Sequence, residues 1–289
     1  MSYVLATDSN SEIPLSWVEE FDLHFLRMPY ILDGQEHDYD LGEKIDIKAF
    51  YAELRKGKMP STVMRNAEEI RAFFEPFLKA GHDLLYISFS SALSGNFTCA
   101  SQVADELRAE YPDRKLVLVD TLSISMVEGQ LVGYAARMRR DGKSLEEVAA
   151  WVEANKLRAN ACFTVDSLFH LKRGGRVTGA KALMGTVLNI KPLLRIDREG
   201  RLVQTGQVQS RRKAISTLVN TYLERAEDIE HTELVILHGD CLEDAQLVEK
   251  LVRARCTPGS VRLSIVGPVI GTHAGPGVLA TVFMGKERD

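Results

Sequence analysis

Residues 84–97 read Leu-Leu-Tyr-Ile-Ser-Phe-Ser-Ser-Ala-Leu-Ser-Gly-Asn-Phe. The first six residues are a short apolar run of the kind that fills a strand buried on both faces. The next residues, Ser90–Asn96, are small and polar. Ala100, Val103, Ala104 and Leu107 then recur at helical spacing. Together they predict a buried strand, a tight loop and a helix, which is half of a parallel βαβ unit.

The same alternation extends in both directions. Upstream, Tyr3–Thr7 predicts a strand that ends in a turn at Asp8-Ser9-Asn10, and Phe25–Leu32 predicts a second strand. Helical spacing is expected through Ile47, Phe50, Tyr51 and Leu54. It recurs through Ile70, Phe73, Phe74 and Phe77, with Pro76 expected to kink or shorten that helix. Downstream, Lys115–Asp120 predicts a buried strand, followed by a helix through Leu131, Val132, Ala135 and Ala136. Ser144 and Glu147 mark a capping box for the next helix. Parallel strands under helices place their C-terminal ends along one edge, where such sheets bind ligands.

The second half reads as a mixed α+β pattern. Cys162–Leu168 predicts a strand leading into the basic, glycine-rich Leu171–Gly179. Leu193–Ile196 and Arg201–Gln209 bracket Asp197-Arg198-Glu199-Gly200 as a hairpin. A helix over 211–226, two apolar strands over 233–239 and 261–267 with a helix between them, and a last strand over 278–285 complete the chain. The fold class is therefore α/β: an N-terminal parallel-sheet domain over 1–158 and a C-terminal α+β domain over 159–289.

Bulk properties narrow the function. The 289 residues contain 45% apolar and 26% charged side chains, which excludes a disordered chain. Lys and Arg total 36 against 40 Asp and Glu, a net charge of −4. That balance argues against binding nucleic acid by bulk charge. The four cysteines form no C-x-x-C pair, no His, Asp or Glu group has metal-ligand spacing, and no window reaches the length of a membrane span. Neither a P-loop nor a G-x-G-x-x-G turn is present, so no cofactor or metal is expected. A cytoplasmic protein without a signal peptide is the expectation.

Four polar segments are candidate sites. The Ser94 hydroxyl, with Gly95 and the helix start at Asn96, is suited to cradle an anion, and equally suited to serve as a simple cap. Pro60-Ser61-Thr62 reads alone as a turn. Lys172–Arg176 reads as a basic turn able to reach a carboxylate or phosphate. His273, within Gly271–Gly277, is expected in a constrained glycine loop.

In that order the segments resemble the DegV family of bacterial fatty-acid-binding proteins. The resemblance rests on Thr7–Pro14, Ser90–Phe97, the block 171–194 and Val269–Gly277. It implies a two-domain α/β fold with a long-chain fatty acid in a tunnel between the domains. It implies that Thr62, Ser94 and the Gly95 N–H hold the carboxylate, with Asn96, Arg176 and His273 near the head group. It also implies a non-catalytic subunit whose partner is a separate ATP-dependent fatty-acid kinase that forms the acyl-phosphate.

The chain departs from the family at Val63-Met64-Arg65-Asn66, where Thr-Ser-Gln-Pro-Ser is common from the threonine onward. It also departs at Asn96 and at Gln209, where relatives often carry threonine and arginine. The alternatives are a small hydrolase using Asp8, Ser94 and His273, and a regulatory module without a ligand.

Overall fold

A computed structural model describes residues 3–177 and 190–289. In chain order its elements begin with β1 (Val4–Asp8), a 3₁₀ turn at Ser9–Ser11, α1 (Leu15–Glu20), β2 (Leu23–Leu26), β3 (Pro29–Leu32) and β4 (Gln35–Asp38). Next come α2 (Ile47–Arg55), β5 (Ser61–Thr62), α3 (Ala67–Lys79), β6 (Leu84–Ser88), α4 (Asn96–Glu110), β7 (Leu116–Asp120), α5 (Met126–Arg140) and α6 (Leu145–Asn155). The chain then forms β8 (Ala159–Thr164), α7 (Phe169–Arg173), β9 (Ile190–Ile196), β10 (Leu202–Gln209) and α8 (Arg211–Arg225). It closes with β11 (Glu233–His238), α9 (Leu242–Arg253), β12 (Ser260–Ile265), α10 (Pro268–Ala274) and β13 (Leu279–Met284). These elements form two compact units. Of the described residues, one contains 3–45 and 62–157, the other 46–61, 158–177 and 190–289.

The first unit is built on a four-stranded parallel sheet in the order β2-β1-β6-β7. Every residue of β6 is buried, as its unbroken apolar run requires. The helix pairs α3 with α4 and α5 with α6 pack against β6 or its neighbour β7. Because the strands are parallel, Asp8, Ser88 and Asp120 end at one edge, and the loop from Phe89 to Gly95 leaves there. Ser144 caps α6 in the expected capping box, with Glu147 reaching back to its N–H.

The expected strand over Phe25–Leu32 is two strands. β2 belongs to the parallel sheet, whereas β3 belongs to a small sheet of order β4-β3-β5. Met28 marks the break: its N–H donates to Ser9 Oγ at 2.9 Å and its carbonyl accepts from Tyr39 N at 3.0 Å. Pro29, lacking an N–H, cannot continue the ladder. Thr62, expected in a turn, lies in β5. Helix α3 runs through Pro76 to Lys79, because burying Ile70, Phe74 and Leu78 outweighs one lost backbone hydrogen bond.

The second unit is a six-stranded mixed sheet in the order β10-β9-β8-β13-β11-β12. β11 and β12 run parallel, and the other neighbours are antiparallel. Helices α8 and α9 cover it through a core that includes Leu218, Tyr222, Ile236, Val248 and Phe283. The β9–β10 hairpin forms where the turn sequence placed it. Among the described residues no helix is long and apolar enough to cross a membrane.

Candidate functional site

Ser94, Gly95 and Asn96 sit where the β6 loop becomes α4. The loop is held on both sides by residues at neighbouring strand ends. Phe89 N donates to Asp8 Oδ2 at 3.3 Å, Ser90 N to the Ser123 carbonyl at 2.9 Å and Ser91 N to Asp120 Oδ1 at 3.3 Å. Ser94 Oγ accepts from Asn96 N at 3.2 Å, which leaves the hydroxyl proton to be donated elsewhere. Gly95 precedes the helix with no side-chain cap, and α4 is 15 residues long, so its first amides carry the positive end of a full helix dipole.

Asn96 is the unusual member. It is 1% exposed, and neither Oδ1 nor Nδ2 has a hydrogen-bond partner among the described residues. A buried carboxamide left this way costs about 1–3 kcal/mol for each group. Folded proteins keep such groups where a ligand or ordered water satisfies them. Thr62 is partly buried in β5. Two residues later, the tip of Met64 meets Gly95: a Cβ added to Gly95 would lie 2.8 Å from Met64 Sδ. That contact brings the Thr62–Met64 segment to the Ser-Gly loop. Ser94 and Gly95 stand out in the sequence from their place between strand and helix. The isolation of the Asn96 amide leaves no signal in the sequence, and only packing reveals it.

Beneath the loop lies a buried acidic pair. Asp8 accepts from Asn10 N at 2.9 Å, Phe89 N at 3.3 Å and Tyr86 Oη at 3.4 Å. Burial pushes its carboxyl up to about 6 despite these donors. Glu128, which accepts from Thr7 Oγ1 at 3.1 Å, is raised well above the carboxylate range by burial and then by Asp8.

Arg176 and His273 belong to the second unit. His273 lies in the last turn of α10, not in a loop. Pro268 at the first helical position starts this helix, and Gly275, at φ +76°, stops it. The ring packs so closely on Gly174 that any Cβ there would collide with it. A helix C-terminus ordinarily favours a cationic imidazole. Here burial, then Arg176, Arg173 and His170, push His273 down to about 4. It is therefore neutral at pH 7 and set among cations. Arg176 itself donates to the Gly174 carbonyl. The rest of the basic block, residues 178–189, lies outside the described residues.

No group of three or more His, Cys, Asp or Glu side chains among the described residues is placed to share a metal ion. All four cysteines are free thiols, and burial raises Cys162 to about 11.

Comparison with known proteins places these features in a family. Residues 3–286 match the family model described as an uncharacterised protein of the DegV family. A DegV domain-containing protein of Clostridium perfringens is 37% identical over 99% of both chains. A structure of a DegV family protein with fatty-acid binding from Thermus thermophilus superposes with a TM-score of 0.87 at 27% identity, covering 99% of this chain and 100% of that one. DegV from Bacillus subtilis, a fatty acid binding protein, gives 0.85 at 28% identity with the same coverage. With its parallel first sheet, its mixed second sheet and a family match along almost its whole length, the chain belongs to the DegV family.

Proposed function

We propose that this protein binds a long-chain fatty acid and presents its carboxylate to a separate ATP-dependent kinase, which converts it to the acyl-phosphate. The observation that carries the head-group reading is the buried Asn96 carboxamide, which has no hydrogen-bond partner among the described residues, on the residue whose backbone N–H donates to the Ser94 hydroxyl at the N-terminus of α4. In this reading the carboxylate accepts from Ser94 Oγ, Thr62 Oγ1, the Gly95 N–H and Asn96 Nδ2. Charge-assisted donors of this kind prevent a buried anion from going unsatisfied. Fatty-acid binding by the Thermus thermophilus and Bacillus subtilis relatives supports the ligand class.

The affinity comes from the tail. An acyl chain of about 16 carbons gains roughly 0.8 kcal/mol for each buried CH₂, a gross term near 12 kcal/mol from which association entropy is subtracted. The tunnel implied by the family resemblance would supply that burial. The head-group donors then have only to avoid a desolvation penalty. Arg176 and the neutral His273 are proposed to meet the negative charge at the stage of phosphoryl transfer, and the binding protein itself contributes no catalytic nucleophile.

The kinase partner rests on the family resemblance. Gln209, exposed at the end of β10 just before α8, is proposed to alter that docking relative to relatives carrying arginine.

A hydrolase built on Asp8, Ser94 and His273 fits these groups less well. Asp8 is buried with its oxygens committed to three donors, and an imidazole at about 4 is a poor general base at neutral pH.

Replacing Ser94 by alanine removes one donor to a buried charge. The expected result is a roughly tenfold loss of fatty-acid affinity, measured by competition with a fluorescent fatty acid. Wild-type affinity in the Ser94→Ala protein would overturn the head-group assignment.

A further inference from the structure

We infer that Met64 covers the head-group cradle and decides how fast a ligand leaves it and which head groups enter. The inference rests on the head-group reading above.

The chain departs from the family pattern at Val63-Met64-Arg65-Asn66. Each residue has a definite place. Arg65 is buried, and its guanidinium donates to the Arg27 carbonyl at 2.8 Å, to Glu69 at 2.5 Å and to Asp38, with Glu36 at 3.7 Å. Asn66 caps α3 in a reciprocal capping box with Glu69. On the other side, Ser61–Thr62 is tied into the small sheet. Val63 and Met64 therefore form a two-residue bridge between fixed anchors.

They are 39% and 53% exposed, so two adjacent large apolar residues face solvent on an anchored segment. Met64 nevertheless ends on Gly95, where a Cβ would meet Sδ at 2.8 Å and Cε at 3.5 Å. The thioether thus occupies the space that a side chain at Gly95 would fill. Gly95 is the one cradle residue without a side chain of its own.

Methionine is unbranched and flexible, and its half-exposed position leaves room for rotamer changes without backbone movement. With a carboxylate seated, an apolar tip over Gly95 keeps water from the hydrogen bonds to Ser94 and Asn96. Bonds shielded in this way are stronger than the same bonds in water. The tip also limits the space beyond the carboxylate, so a bulkier acid would meet it.

The test uses the wild type, Met64→Ala and Met64→Leu, each loaded with oleic acid. Transfer to phosphatidylcholine vesicles is timed, and loading with N-oleoylglycine, a larger carboxylate, is measured alongside. Met64→Ala is expected to release oleic acid roughly tenfold faster. It should also admit N-oleoylglycine, with Met64→Leu close to wild type and melting temperatures unchanged. Release at the wild-type rate, or faster release with no change in head-group preference, overturns the inference while leaving the head-group reading intact. A wild type that takes up no oleic acid overturns both.

Discussion

Asn96→Leu is expected to yield a ligand-free protein that melts several degrees higher than the wild type and retains far less fatty acid. The two effects have one cause. In the wild type, the Asn96 carboxamide, on a residue 1% exposed, has no partner for either polar atom among the described residues. Leucine is close in size and carries no polar group to desolvate. The swap removes a penalty on the order of 2 kcal/mol or more, and for a chain of this size each 1 kcal/mol is worth about 2–4 °C in melting temperature. In the proposed head-group site, the same change deletes a donor at the start of α4 and would place an apolar group against the carboxylate. Stability and function therefore move in opposite directions, as expected where a binding site retains polar groups that folding alone would not favour. Thermal melts of delipidated protein, with fatty-acid uptake measured in parallel, check both halves. A lower melting temperature for ligand-free Asn96→Leu would show that the amide serves the fold.

The second large effect concerns pH. Asp8 is raised from an ordinary 3.8 to about 6 by burial. The native state therefore holds the Asp8 proton more tightly than the unfolded chain does. Its stabilising contribution is fully present below about pH 4 and is lost as pH rises through about 6. A shift of this size corresponds to roughly 3 kcal/mol. His273 works in the opposite sense: its depressed value favours the native state as pH rises from about 4 toward the ordinary histidine range. Comparing wild type with Asp8→Asn isolates the first contribution, because asparagine mimics the protonated acid at every pH. The two proteins should melt alike near pH 4. Near pH 7 Asp8→Asn should be the more stable by that order of magnitude. Parallel melting curves across the range would show that Asp8 does not titrate as its surroundings require. Because Asp8 also accepts from Phe89 N, the same titration bears on the loop that carries Ser94.

Much of the first sheet was legible because β6, β7 and the helices after them carry long, consistent patterns. The Ser94-Gly95 loop could be located for the same reason: it had to lie between a buried strand and a helix start. The β9–β10 hairpin and the Ser144 capping box were local signals. What escaped depended on tertiary contacts. Residues 46–61 group with the second unit although the sequence runs on through them without a break in pattern. Phe25–Leu32 reads as one β-rich run until Ser9 and Tyr39 claim Met28. His273 reads as loop because glycine density masks a short helix begun by Pro268 and ended by Gly275. The Asn66–Glu69 capping box was visible in the sequence, an Asn followed three residues later by Glu, and would have marked the start of α3. Arg65 could not have been anticipated, since a charged residue is buried only where its partners are in place.

Native mass spectrometry of the purified wild-type protein tests the central claim most directly. The expected spectrum shows a chain carrying one non-covalent adduct with the mass of a long-chain fatty acid, released on collisional activation. A protein that shows only the mass of its own chain, even after incubation with oleic acid, would contradict it.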